Sequence, residues 1–538
     1  MIKNGKTLLS GIDPVRRAER TADSVSLNDR TLFFCPSPLY GFGLERLLSR
    51  LKNAGTGCAV LCVEADPELY ELSMANIDAS LCEDKMLHIT NVCDKALLCD
   101  LVRAKWGARA FRRVELVRFS GGYQLCEQVY DSLLDALRRD IATDWSNALT
   151  LTKLGRLYIR NAVRNLSLLS KYPSVSELSF GEENVLVLGA GPSLDETLDF
   201  LVRSEELGVR SRGRKFRIIC VDTCLGALKD RGIVPDLVVI LESQHWNIRD
   251  FIGSAGSKMR AAVDISSLPA SAKILGGSGY LFMTLWTNLN IFERLKKEEL
   301  LPILMPPLGS VGLTAVELAR RLTRGKIICA GLDFSFTADK YHARSTPGHR
   351  GRLNLQTRFL RLFNTASFHD TSIAVMSKSG QNVYTNPVMK NYRDLFEQEF
   401  SGDPRIFDIE STGLPLGVKT ISHNELIEIL MQRTHTKAQK HRESEASSSV
   451  PPCLCVNSSI VSFYENELKR LKELRSILTG DAAMDEERLG VLVNECDYLW
   501  AHFPDCAGGR APDLKEASFL KRMRAEIDPM IKLISHII

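Results

Sequence analysis

The stretch VLVLGAGPSLDETLDFL, residues 185–201, decides how the chain is read. Its first four residues are all apolar and include two valines, which fits a strand buried on both faces. Gly189 and Gly191 then mark a turn, and Leu194, Leu198 and Leu201 recur at the spacing of one helix face. Strand, glycine turn and helix in direct succession open a parallel β-α-β unit. At such a turn the unpaired N–H groups and the positive end of the helix dipole suit an anion. The spacing therefore predicts a phosphate cradle formed by Gly189, Gly191, Pro192 and Ser193. The turn is not a dinucleotide fingerprint, because Leu194 stands where the third glycine belongs, and it is not a P-loop, because no Gly-Lys-Ser/Thr follows. A purely structural role also fits these residues: Ser193 caps the helix and Glu196 completes a Ser-x-x-Glu capping box.

Outward from this unit, further apolar runs occur at RIICVD (217–222), LVVILE (237–242), YLFMTL (280–285) and KIICAG (326–331), with helical patterns such as VGLTAVELARRLTR between them. The alternation predicts an α/β fold: a central doubly wound, mostly parallel sheet over residues 181–432, binding its ligands at the carboxyl ends of the strands. Upstream, TLFFCPSPLYGFGLERLLSRL, the run CAVLCV ending at Glu64, and a helix pattern from Glu68 predict a smaller nucleotide-fold-like α/β domain over 1–145, with a helical connector at 146–180. Downstream, the Ser- and Pro-rich residues 433–458 read as a flexible linker. Three amphipathic patterns near 459–479, 484–500 and 513–537 then predict a helical C-terminal domain over 459–538.

Composition narrows the function. With 538 residues, 44% of them hydrophobic and 25% charged, the chain is neither disordered nor fibrous. A net charge of +4 is too small for a general nucleic-acid coat, so anion binding must rest on local patches. There is no apolar run of membrane-spanning length and no signal-peptide pattern at the N-terminus, which predicts a cytoplasmic protein without membrane association. Its 14 cysteines are scattered, several of them inside apolar runs, and are expected to be reduced. Cys453 and Cys455 have no partner pair at zinc-site spacing, so no metal site is expected there.

Two acidic strand ends, Asp222 and Glu242, lie on the same predicted sheet edge as the glycine turn. There they suit ribose hydroxyls or a divalent cation, or else serve as a helix cap and a solvated strand end. Gly309 and Ser310 begin a second glycine turn that opens a helix, and Asp333 closes a strand. Beyond it a loop carries Lys340, His342, Arg344, His349, Arg350 and Arg352 against the single acid Asp339. Arginine forks match carboxylate and phosphate, and imidazole titrates near working pH, so His342 and Arg344 are the candidate catalytic residues, His342 as general base and Arg344 on the charged donor, and Arg350 is a candidate donor ligand. His349 stands in reserve, and His245, which follows the Glu242 strand, is expected to line the same pocket.

Together, GAGPSLDETL, the strand ending in Asp222, PDLVVILE, GSVGLTAVELA, GLDFSFTADKYHA and NVYTNPVMKNYRDLFE resemble the motility accessory factor family of bacterial flagellin glycosyltransferases over about residues 181–400. That core is shared with the archaeal 6-hydroxymethylpterin diphosphokinase. PLYGFGLERLL and CVEADPELYELS also resemble the N-terminal domain of the glycosyltransferase branch. The resemblance implies transfer of a nonulosonic acid, of pseudaminic or legionaminic type, from a CMP-sugar donor to Ser or Thr of flagellin as protein acceptor. It implies a sialyltransferase-like core with no obligatory cofactor or metal, and no particular oligomeric state. Glu242 stands where the family has aspartate.

Rival readings start from the same residues. In a diphosphokinase, Asp222, Glu242 and Asp333 would hold Mg2+ on ATP. A non-catalytic accessory protein would use the sheet edge only to sense a nucleotide. In the first domain, the glycine loop followed by Glu64 resembles a methyltransferase cofactor site, although bulky Tyr40 and Phe42 point instead to a degenerate fold kept for architecture or acceptor binding.

Overall fold

The computed structural model describes residues 1–107, 109–204, 208, 214–359, 361, 371–431, 454–480, 485–507 and 511–538. The chain forms two compact units, Met1–Gly155 with Trp500–Phe519 and Arg156–Leu499 with Leu520–Ile538.

In the first unit, β1 (Thr31–Pro36), β2 (Ala59–Val63), β3 (Leu87–Thr90) and β4 (Arg113–Leu116) form a parallel sheet in the order β3-β2-β1-β4. Every residue of β1 and β2 is buried, which is why both read as unbroken apolar runs. The helix Leu44–Ala54 buries Leu44, Leu47, Leu48 and Leu51 on one stripe. Asp66 caps the next helix, Pro67–Asn76, by accepting from the N–H groups of Glu68 and Leu69.

The second unit contains β5 (Val185–Leu188), β6 (Arg217–Val221), β7 (Leu237–Ile240), β8 (Met259–Asp264), β9 (Gly276–Thr284), β10 (Leu304–Met305) and β11 (Ile327–Ala330). A hairpin of β12 (Ile373–Met376) and β13 (Asn382–Thr385) follows, then β14 (Ile406–Ile409) and β15 (Lys419–Ile421). Nine of these strands make one sheet in the order β10-β9-β8-β7-β6-β5-β11-β14-β15, with every neighbouring pair parallel. From β5 the chain lays strands outward on one side as far as β10, then crosses to the other side of β5 to place β11. The order therefore reverses at β5 and β11. All strand carboxyl ends share one edge, and in doubly wound sheets the point of reversal is where ligands bind.

This is the doubly wound α/β architecture that the apolar runs predict, with several local differences. β8 escapes the pattern because RAAV is rich in alanine. β9 starts at Gly276, earlier than its apolar run, because GGSG permits close approach of strand backbones: a Cβ on Gly277 would lie 2.0 Å from the Met259 carbonyl oxygen. Only the first part of the expected connector is helical: it is the end of one 40-residue helix, Glu127–Leu166, and the rest to 180 runs as turns with a short 3-10 stretch at Val175–Glu177. The expected linker falls mainly on residues 432–453, outside the described residues, and the helix Leu454–Thr479 starts before the linker's predicted end.

The C-terminal helices are not a separate appendage, because Trp500–Phe519 belongs to the first unit. In the second unit, buried Glu467 accepts from Arg294 at 3.0 and 2.9 Å, from Arg470 at 2.7 Å and from the Tyr498 hydroxyl at 2.8 Å. The Tyr464 hydroxyl donates to the Val163 carbonyl at 2.8 Å. These bonds tie the helix Leu454–Thr479 to Asn290–Lys297 and to the end of the long helix. Among the described residues no cysteine is in a disulfide, and no helix is long and apolar enough to cross a membrane.

Candidate functional site

The glycine turn leaves β5 at the point where strand order reverses, and Gly331, Leu332 and Asp333 leave β11 beside it. The Gly189 N–H donates to the Ala330 carbonyl and the Gly191 N–H to the Gly331 carbonyl, both at 2.8 Å. A Cβ on Gly189 would stand 2.5 Å from the Gly331 oxygen, and one on Gly191 would stand 2.5 Å from Oδ2 of Asp333. Both positions need glycine because the end of β11 packs against them.

Asp333 is buried and faces Ser193 with both oxygens. The Ser193 N–H donates to Oδ2 at 2.7 Å and the Ser193 hydroxyl donates to Oδ1. Burial raises the Asp333 carboxyl above its usual range, while the Ser193 bonds, Lys378 and Lys340 oppose the shift. The Leu194 N–H is also used, on the Gly191 carbonyl at 3.1 Å. The expected cradle is thus corrected in its details: the N–H groups of Gly189, Gly191 and Ser193 serve the fold, Pro192 is buried, and the dipole end of the helix Leu194–Arg203 is what remains for an anion. The capping-box alternative is not formed either, since the Ser193 side chain makes no cap bond and Glu196 is exposed.

The basic loop hangs from the first turn of that helix. Buried Asp195 accepts from Lys340 Nζ at 3.1 Å, from Arg231 at 3.2 Å and from the Arg344 backbone N–H at 3.2 Å. The Ala343 N–H donates to the Ala190 carbonyl at 3.0 Å, inside the glycine turn itself. Thr346 then caps the helix Pro347–Leu355, accepting from the His349 N–H at 3.3 Å. Ser345 has φ of 67°, and its carbonyl oxygen would lie 2.3 Å from a Cβ on Gly226, so the loop also rests on the helix Leu225–Asp230. Lys340 is consumed by this anchoring, whereas Arg344 keeps 67% of its side chain exposed with its Nε 3.7 Å from Asp195. Arg350 is half exposed and lies 3.7 Å from Asp230, and the Arg352 guanidinium lies over the Tyr341 ring at 4.6 Å.

His342 is partly buried, and its Nδ1 has no hydrogen-bond partner among the described residues. Burial lowers its pKa to about 4, and the nearby Arg352 and His349 push in the same direction. The imidazole is therefore neutral at pH 7, and its buried Nδ1 lies against Gly348, where a Cβ would stand 2.8 Å away. His349 is also lowered, chiefly by burial. The stack beneath this loop comes from a motif picked out in the sequence: Tyr384 pairs with Phe336 through backbone bonds of 2.8 and 2.9 Å, Phe336 lies 4.7 Å from Tyr341, and Asn386 donates to the Tyr341 hydroxyl at 3.4 Å.

The other side of the crevice carries the acids. Asp222 is buried, accepting from the Thr223 N–H at 2.8 Å and the Asn247 amide at 3.0 Å; burial raises its pKa to about 6. Burial also raises Asp250 to about 7, with Asp222 and Glu242 adding to the shift. Glu242 is exposed, and its Oε1 accepts from the Gln244 N–H at 3.0 Å. Gly309 and Ser310 precede the helix Val311–Leu322. Cβ atoms on Gly312 and on Gly189 would each stand 2.6 Å from the same Leu332 methyl, which shows that the two glycine turns meet there.

Gly309 has φ of 69°, and the Tyr392 ring lies 3.1 Å from its would-be Cβ. Sequence reasoning gave no role to Asp195, Asn247, Asp250, Lys378 or Tyr392. The polar residue in GPSLD beside a basic loop was a usable signal for Asp195. The others sit in segments that read as helix or turn.

In the first unit, the nucleotide-fold crevice is filled by the chain itself. Glu64 is buried, accepting from the Ser37 hydroxyl at 2.6 Å and the Tyr130 hydroxyl at 3.0 Å. Buried Leu8 packs with Leu39 and Leu69, the Gly121 N–H donates to the Leu8 carbonyl at 2.7 Å, and Lys3 pairs with Asp66 at 2.6 Å. A ribose has no free carboxylate to meet here, so the geometry favours an architectural role over a cofactor site.

Comparison with known proteins agrees with this picture. An uncharacterised protein of Treponema pallidum (strain Nichols) is 28% identical over 540 residues, an alignment covering 96% of this chain and 90% of that protein. The solved MAf glycosyltransferase of Magnetospirillum magneticum AMB-1 superposes with a TM-score of 0.54 at 14% identity, covering 98% of this chain and 84% of that one. Residues 158–339, which hold both glycine turns, the acids and the end of β11, match the family described as 6-hydroxymethylpterin diphosphokinase MptE-like, and the whole chain has the fold of the MAf glycosyltransferase.

Proposed function

We propose that the protein is a glycosyltransferase that takes a CMP-activated nonulosonic acid at the crevice between β5 and β11 and transfers the sugar to Ser or Thr hydroxyls of flagellin in the cytoplasm. The observation that carries this reading is that the basic loop bearing His342, Arg344 and Arg350 is fastened to the glycine turn through Asp195 and the Ala190 carbonyl. The donor has two anionic groups, a phosphate and a sugar carboxylate, and guanidinium forks suit both. Asp222 and Asn247 would receive the nucleoside, and Gly309, Ser310 and Tyr392 would line the facing lip.

In the reaction, neutral His342 takes the acceptor hydroxyl proton as the oxygen bonds to the anomeric carbon. The bond from that carbon to the phosphate oxygen breaks, and CMP leaves with the electron pair. The positive end of the helix Leu194–Arg203 and the two arginines stabilise the departing phosphate.

The MptE-like match gives weight to a second reading, an ATP-dependent pyrophosphoryl transferase with Mg2+. Against it, Asp333 is turned onto Ser193, which leaves Asp222 and Glu242 without the third carboxylate that reading assigns to the metal.

Purified protein incubated with flagellin and a CMP-activated nonulosonic acid separates the two. The expected result is a flagellin mass increase of one sugar residue that persists in EDTA. Unmodified flagellin, with Mg2+-dependent transfer from ATP to a hydroxymethylpterin, would establish the second reading instead.

A further inference from the structure

The hairpin β12–β13 is largely exposed at Ile373 and Met376, yet one side chain near its turn is not. Lys378 keeps only 7% of its side chain exposed and donates at 2.5 Å to Oδ2 of Asp408, itself 4% exposed, in β14. The Lys378 N–H donates to the Gly413 carbonyl at 3.0 Å. Gly413 in turn lies against Asp333, where its would-be Cβ is 2.8 Å from Oδ1, and the Leu414 N–H donates to the Asp333 carbonyl at 2.9 Å. A buried ammonium thus sits behind the carboxylate that holds Ser193. The second strand of the same hairpin pairs with Phe336, three residues past Asp333.

We propose that Lys378 is a positioning residue: paired with the buried Asp408 and joined through Gly413 to the segment that seats Asp333, it keeps Asp333 on Ser193, and through the helix of Asp195 it holds the basic loop in place. Without its cation Asp408 would be an unpaired buried charge, and relieving it would draw apart the Gly413 and Leu414 contacts that seat Asp333. The charged groups bearing on Asp333 are Lys378, Lys340 and Asp408. Lys340 is already paired with Asp195, which leaves Lys378 as the balancing charge on the Asp408 side. The consequence for donor binding rests on the function proposed above. The grip on the glycine turn does not.

The test is amide hydrogen exchange by mass spectrometry on full-length protein, following the peptide that spans Gly189–Leu194, together with calorimetric titration of CMP. Lys378→Met is expected to speed exchange in that peptide by about tenfold, because an unpaired buried charge is relieved by local opening. Lys378→Met with Asp408→Asn, which removes both charges of the pair, is expected to return exchange to within about twofold of wild type. A folded Lys378→Met with wild-type exchange there, or a double variant as open as the single one, would overturn the assignment. If wild type binds no CMP while the exchange pattern holds, Lys378 keeps its role and the nucleotide reading falls. If CMP binds and weakens only in Lys378→Met, both stand.

Discussion

Ser193 and Asp333 lie 140 residues apart in sequence, yet the carboxylate of Asp333 accepts from both the N–H and the hydroxyl of Ser193. The pair joins the two strand ends at which the sheet reverses direction. Asp333→Ala leaves both Ser193 donors without an acceptor, and the expected loss is about 3 kcal/mol of unfolding free energy, the scale of bonds to a charged partner. Asp333→Asn keeps an acceptor and should lose about half as much. Urea denaturation of the two variants measures the difference.

His342 and Arg344 are two residues apart and should fail differently. His342→Ala is expected to lower kcat by about a hundredfold while leaving donor binding unchanged, as removal of a general base does. Arg344 is largely solvated, so Arg344→Ala should weaken donor binding by about 1 kcal/mol and lower kcat by only about fivefold, far less than His342→Ala.

Because burial holds the His342 pKa near 4, the base is already unprotonated at neutral pH, and kcat/KM of wild type should be flat from about pH 5.5 to 8 with respect to this group, its acid limb lying near 4. A limb near the ordinary imidazole value would assign the titration elsewhere.

Asp195 is the peg for the basic loop. Asp195→Asn removes the carboxylate shared by Lys340 and Arg231; Arg231 keeps Asp199 at 2.7 Å, while Lys340 loses its ion pair. The expected loss is about 3 kcal/mol of stability, the usual scale for breaking a buried pair, with trypsin cleavage appearing at Lys340 or Arg344. Melting curves and timed proteolysis are the measurements.

Asp222 supplies a pH signature of the opposite sign. Its folded pKa, near 6, lies above the ordinary carboxylate value, so the folded state takes up its proton first and this group adds stability as pH falls through 6. Above 6 its buried charge is a burden. Asp222→Asn should therefore melt higher than wild type at pH 8 and about level with it at pH 4.

Much of the architecture was legible because strands buried on both faces must be apolar throughout, and RIICV, LVVI and IICA announce themselves. Met259–Asp264 did not, since alanines between two polar ends carry no strand signature. The glycine turn and the basic loop could be read as neighbours, but not that the turn's own N–H groups are taken by β11, because that depends on which strand lies beside β5. Lys378 lies in SKSGQ, a sequence that reads as a solvated turn; only the fold shows that the lysine points inward. The C-terminal helices were visible as periodic patterns, while the choice of Arg294 and Tyr498 as partners for the buried Glu467 is something no local pattern encodes.

The strand order also fixes when this crevice can exist during synthesis. The strands from β6 to β10 add to one flank of β5 in the order they leave the ribosome, so each finds its place next to the strand before it. The opposite flank of β5 stays bare until Ile327–Ala330 emerges, and Val185–Leu188 meanwhile exposes unpaired backbone to the cell. A nascent or truncated chain that stops short of β11 holds much of the sheet but has no reversal point, no acceptor for Ser193 and no basic loop. Chaperone demand should concentrate in that interval, and ligand binding should arise only as one of the last steps of folding.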